Sequence, residues 1–144
     1  MIPISALKEL NTYNLLRTIY VGDRWVKHVT HLPQEKSLRL CINRISRIRS
    51  TDGCWNYYND ENLKDGEIVF VGVEDVVFTP SGTTLNDAIH EIDCQTQANG
   101  TFKVTIFGDF IDEPAHTPIS TSVELICASA YLVDKNNPDL KIRS

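Results

Sequence analysis

The 144 residues carry 42% hydrophobic and 23% charged side chains, which excludes a disordered, collagen-like or supercharged chain and fits one compact domain. Fourteen Lys and Arg against nineteen Asp and Glu leave a formal charge of −5, disfavouring wholesale attachment to nucleic acid or anionic membrane. No run approaches the ~18 apolar residues of a membrane helix. The opening Met1 to Leu10 lacks the basic-then-apolar order of an export signal, so a cytoplasmic location is expected.

Eleven Val, fourteen Ile and twelve Thr stand against six Ala, a bias toward pleated sheet because β-branched side chains lose rotamers on a helix. The first sixteen residues hold the best helix candidate, with Ser5 as a cap and Leu7, Leu10 and Leu15 at helical spacing. Ile19 to Val21 and Trp25 to Leu32 read as extended runs separated by a tight turn at Gly22-Asp23, with Pro33 closing the second. Leu38, Leu40 and Ile42 alternate with polar residues as in a half-buried strand. The alternation breaks at Asn43, where a bulge or short turn would return Ile45 to the core face.

Asp52-Gly53 and Asp65-Gly66 read as turns flanking Cys54 to Lys64. Ile68 to Val73 is unbroken apolar sequence, as in a central strand covered on both faces, and Val76-Val77-Phe78 follows it. Asn99-Gly100 predicts a two-residue hairpin joining Ala88–Gln97 to Thr101–Ile111, since both residues tolerate positive φ. Ser120 to Val133 reads as one long last strand. Residues 1–133 are thus expected to form a single antiparallel β-sandwich or barrel of about seven to nine strands with a short N-terminal helix. Residues 134–144 are expected to be a polar, frayed tail.

Charge is divided along the chain: residues 1–50 carry nine basic and three acidic side chains, residues 51–144 five basic and sixteen acidic. Pairing of the two parts would cancel this; otherwise one surface is basic and another strongly acidic. Arg39, Arg44, Arg47 and Arg49 form a row able to grip phosphate or carboxylate through forked hydrogen bonds, or to guard a strand edge. Trp55, Tyr57 and Tyr58, with Asp60, Glu61 and Asp65 beside them, combine amphipathic rings with acidic neighbours, a pattern suited to a protein interface or a sugar face, or else to cross-strand aromatic packing.

Asp109, Asp112, Glu113 and His116 form an alternative site, an acidic and imidazole group able to bind a divalent cation or supply an acid–base pair, or else simply a solvated loop. His90, in line with Ile92 and Cys94, reads as a core residue. Cys41, Cys54, Cys94 and Cys127 show no C-x-x-C spacing, and reduced thiols without a disulfide or metal are expected. The acidic run from Asp60 fails the calcium-loop spacing, and no phosphate loop, nucleophile elbow or zinc motif is present. Neither a cofactor nor catalysis is expected.

Within Arg44 to Asp87, the segments Ile45-Ser46, Trp55-Asn56-Tyr57-Tyr58, Asp65-Gly66-Glu67-Ile68-Val69-Phe70 and Asn86-Asp87 resemble small bacterial proteins of the immunity type, encoded beside polymorphic toxins. The resemblance implies a bacterial binding protein and assigns no functional residue. The leading expectation is a non-catalytic protein whose acidic later part neutralises a basic protein partner. The alternatives are a small-ligand-binding β-barrel or hydrolase using the Asp109 group, and a homo-oligomeric structural subunit.

Overall fold

The computed structural model of the chain describes residues 12–48, 61–112 and 117–143. A short helix, α1 (12–17), turns Leu15 and Leu16 into the core. The strands are β1 (Ile19–Tyr20), β2 (Arg24–Leu32), β3 (Ser37–Arg47), β4 (Glu61–Val71), β5 (Glu74–Thr79), β6 (Ala88–Thr96), β7 (Phe102–Ile111), β8 (Pro118–Cys127), β9 (Ser129–Asp134) and β10 (Asn137–Ile142). The period-two pattern is cleanest in β7, where Phe102, Val104, Ile106 and Gly108 face inward and Lys103, Thr105, Phe107 and Asp109 face outward.

All pairings are antiparallel, and the ten strands form one sheet in the order β10-β9-β4-β3-β2-β6-β7-β8-β5, with β1 added on β3. The mainly β, antiparallel fold with its short N-terminal helix is therefore what the sequence led us to expect. The sheet ends in two edges, β10 and β5, so it is not a closed barrel.

The sheet folds over itself in two halves. β2 joins them on one side, pairing with β3 through Val26 to Leu32 and with β6 through Arg24 and Trp25. On the other side two strands turn the corner together. β4 runs through Gly72 into β5, β8 runs through Ala128 into β9, and Ala128 N donates to Val71 O at 2.8 Å across the bend. A single cluster lies between the halves, with Leu40, Ile42, Ile68 and Phe70 from one and Ile89, Phe102, Ile106 and Leu125 from the other. Each such side chain, buried completely, stabilises the fold by about 1.5–3 kcal/mol of transfer free energy.

Several local expectations are corrected. Among the described residues the strands number ten because Ser120 to Val133 bends at Ala128 and because the polar C-terminus pairs: Asn137, Lys141 and Ile142 lie on β9, making an exposed edge strand of what read as a frayed tail. Asp65-Gly66 lies inside β4. Its turn chemistry survives as a kink, with Asp65 at φ 52°, beside which Ile42 and Ile45 of β3 both reach the core. The break in alternation at Asn43 is thus shared by two strands in unbroken register.

The Gly22-Asp23 turn has its Arg24 N to Val21 O bond, yet β1 pairs with β3 instead of β2. At Asn99-Gly100 only Gly100 has positive φ, and Gly100 N bonds Gln97 O at 3.1 Å, giving a three-residue loop ending in a left-handed glycine. Asn99 Oδ1 accepts from Thr101 Oγ1 at 2.6 Å, so its side chain serves the loop while its backbone stays right-handed. β3 is a central strand, so Arg39, Arg44 and Arg47 guard no edge. His90 is exposed: the ladder shifts between Ile89 and Glu91, which frees His90 from the inward parity of Ile92 and Cys94.

Candidate functional site

Of the aromatic and acidic group, Trp55, Tyr57, Tyr58 and Asp60 lie outside the described residues, as do Cys54, Arg49, Glu113 and His116. Glu61 opens β4 in register with Arg47. Asp65 is described, and its carboxylate holds Lys27 Nζ at 3.0 Å and Lys135 Nζ at 3.4 Å, which ties β2 and the β9–β10 turn to β4. The Lys27 hydrogen bond holds the Asp65 carboxyl below its ordinary value, and the same bond raises Lys27. Asp65 is therefore engaged by lysines of its own chain. Of the alternative group, Asp112 is exposed and Asp109 accepts from His90 Nε2 at 3.1 Å on the outer surface.

Among the described residues, no three His, Cys, Asp or Glu side chains are grouped to hold a metal ion. Cys41, Cys94 and Cys127 are free thiols. Burial pushes Cys94 up to about 11 and Cys127 up to about 12, so neither is a nucleophile at neutral pH.

The lengthwise charge division becomes a division between faces. The four strands β5 to β8 carry six carboxylates, Glu74, Asp75, Glu91, Asp93, Asp109 and Glu124, against the single lysine Lys103. Register aligns Asp93, Thr105, Glu124 and Val77 in one row across this half and Glu91, Phe107, Ser122 and Thr79 in the next. Phe107 and Val77 stand 41% and 53% exposed on this outer face among the carboxylates, whereas Ile119, 43% exposed, shares the inward parity of Thr121 and Val123 beyond the end of the core. Lys103 neutralises Glu124 at 3.6 Å, while Glu91 and Asp93 have no ion pair among the described residues. Composition signalled the charge; only the register could show that the carboxylates share a surface with Phe107.

The outer face of the other half is basic. Ser37 and Arg39 of β3, Val69 and Val71 of β4 and Ser129 and Tyr131 of β9 floor a trough of about 520 Å³, closed by Glu35 on one side and by Lys141 and Arg143 on the other. Val69, Tyr131 and Val133 form a small buried cluster of their own there. This is how the unbroken apolar run of β4 is covered on its second face. Lys141 Nζ lies 5.1 Å and Arg143 Cζ 5.4 Å from the centre of the Tyr131 ring. The sequence reading missed these two cations, because the tail that bears them showed no periodicity.

A family model described as "Family of unknown function (DUF6258)" matches residues 10–144. No curated protein and no solved structure matches the chain. No helix among the described residues is long and apolar enough to cross a membrane.

Proposed function

Because the chain belongs to this family of unknown function, its role has to be argued from geometry, and we propose that it is a non-catalytic binding protein whose β6-β7-β8-β5 face docks on a basic protein. The observation that carries this reading is the set of six carboxylates against one lysine on the strands that expose Phe107 and Val77 on their outer face. Apolar anchors inside a charged rim are the usual build of a protein interface, the anchors supplying affinity and the rim supplying steering and partner choice. The interior supports binding over catalysis: Leu40, Phe70, Phe102, Ile106 and Leu125 fill the space between the halves, and Asp109 stands outside it. The resemblance to immunity proteins points to a bacterial toxin of basic surface as the partner, met in the cytoplasm, where free thiols stay reduced.

The test is titration calorimetry of the whole chain against the purified product of the gene beside its own. Association should weaken by about tenfold or more when Glu91→Lys reverses one rim charge and when Phe107→Ala removes the central anchor, and it should fall with added salt. Lys64→Ala, exposed on the other half, should leave it unchanged. No association, or association indifferent to Phe107 and Glu91, would overturn the reading.

A further inference from the structure

The trough on the opposite face serves none of this, and its chemistry is of a different kind. Its floor is Val69, Val71 and the flank of Tyr131, and its two sides carry cations: Arg39 on β3, and Lys141 and Arg143 on and beyond β10. Ser37 and Ser129 place two hydroxyls at one end, in register with Val71 on either side of it. Arg39 is only loosely engaged, 3.7 Å from Glu67, and both side chains keep partial exposure. Lys141 and Arg143 have the Tyr131 ring as their contact and no carboxylate partner among the described residues. Glu35 is the single acid among the lining residues.

We infer that this trough binds a small organic phosphate, its phosphoryl group held by Arg39, Lys141 and Arg143 and its apolar body laid on Val71, which stands 37% exposed beside the buried Val69 and Tyr131. Planar guanidinium forks and serine hydroxyls suit the several oxygens of a phosphoryl group, and an ammonium adds charge without demanding direction. A carboxylate offers fewer oxygens and less charge to three cations. Inorganic phosphate would leave the exposed Val71 uncovered. A volume of about 520 Å³ admits a molecule of nucleotide size. The arrangement also explains why a polar tail is held in a strand: β10 exists in register with β9, and that register carries Lys141 and Arg143 to the ring.

Titration calorimetry of the whole chain with phenyl phosphate, adenosine monophosphate, inorganic phosphate and benzoate tests the inference. Phenyl phosphate should bind about tenfold or more tightly than inorganic phosphate, which lacks the apolar body, and than benzoate, which lacks the phosphoryl group. Adenosine monophosphate binding more tightly still would identify the source as a nucleotide; equal binding would leave the simpler aryl or alkyl phosphate class. Arg143→Ala should weaken phenyl phosphate by about tenfold at an unchanged melting temperature. Should Lys141→Ala loosen β10, Arg39→Gln on the central strand carries the same expectation. The inference is overturned by no heat of binding at millimolar ligand, by inorganic phosphate or benzoate binding as well as phenyl phosphate, or by indifference to Arg143 and Arg39.

Discussion

Gly72→Ala probes the corner on which the two halves turn. Gly72 sits between β4 and β5 at φ +65°, and a Cβ added there would lie 2.8 Å from Ala128 Cβ, closer than real carbon neighbours come. Holding an L-residue in the left-handed region costs about 1–2 kcal/mol. Forcing the overlap costs about 1–3 kcal/mol more, since Ala128 is fixed by its bond to Val71 and cannot slide away. The expected loss is about 2–5 kcal/mol, a large share of the ~5–15 kcal/mol that typically stabilises a domain. Urea unfolding followed by far-ultraviolet circular dichroism measures it. The double variant Gly72→Ala with Ala128→Gly separates the two costs: the overlap vanishes, the φ cost stays, and a favourable coupling of about 1–3 kcal/mol should emerge. A Gly72→Ala protein within about 0.5 kcal/mol of the parent, or a double variant with no coupling, would show that the corner is not packed as described.

Two further expectations concern titration. Asp65, lowered by Lys27, contributes stability that is present above its ordinary value of 3.8 and is lost as pH falls through its lower folded value; Lys27, raised by the same bond, contributes below 10.5 and loses it as pH rises beyond. Asp65→Asn should therefore flatten the stability profile in both windows, measured by urea midpoints from pH 2 to 11, and an unchanged profile would deny the pairing. Cys94 and Cys127, raised to about 11 and about 12 by burial, favour the folded state below the ordinary thiol value of 9.0 and give that up as pH climbs past it. Iodoacetamide at pH 8 should accordingly label neither thiol in the native protein and both in urea, as read by mass spectrometry of the peptides; native labelling would mean that the core opens.

The two faces give the molecule a polarity that its net charge of −5 conceals. β2 and β3 bring Lys27 and Arg39 to one surface, and β9 and β10 add Lys135 and Lys141 from the far end of the chain. Asp65 and Glu67 absorb part of this charge through Lys27, Lys135 and Arg39. Among the described residues, the carboxylates of β5 to β8 meet Lys103, Lys36 and His90. Glu91 and Asp93 on the β5–β8 half thus keep their charge without an ion pair among the described residues.

What the chain alone determined was local. Alternation of inward and outward residues is written every second position, so β7, β8 and the first part of β3 were legible, as were a short N-terminal helix, whose expected cap Ser5 lies outside the described residues, and the hairpin at Asn99-Gly100. Asp65-Gly66 read as a turn because Asp-Gly chemistry is local, and that chemistry surfaces as positive φ at Asp65 inside β4, a kink where a turn was expected. Tertiary structure decided the rest. β10 has no apolar pattern and exists because β9 offers it an edge, and β1 goes to β3 because α1 must bury Leu15 and Leu16. His90 faces out because a single extra residue in β6 overrides parity. The two surfaces could not be read at all: Phe107 meets Glu91, and Arg143 meets Tyr131, only once register has been set between strands far apart in the chain, and register is fixed by the common core those strands bury.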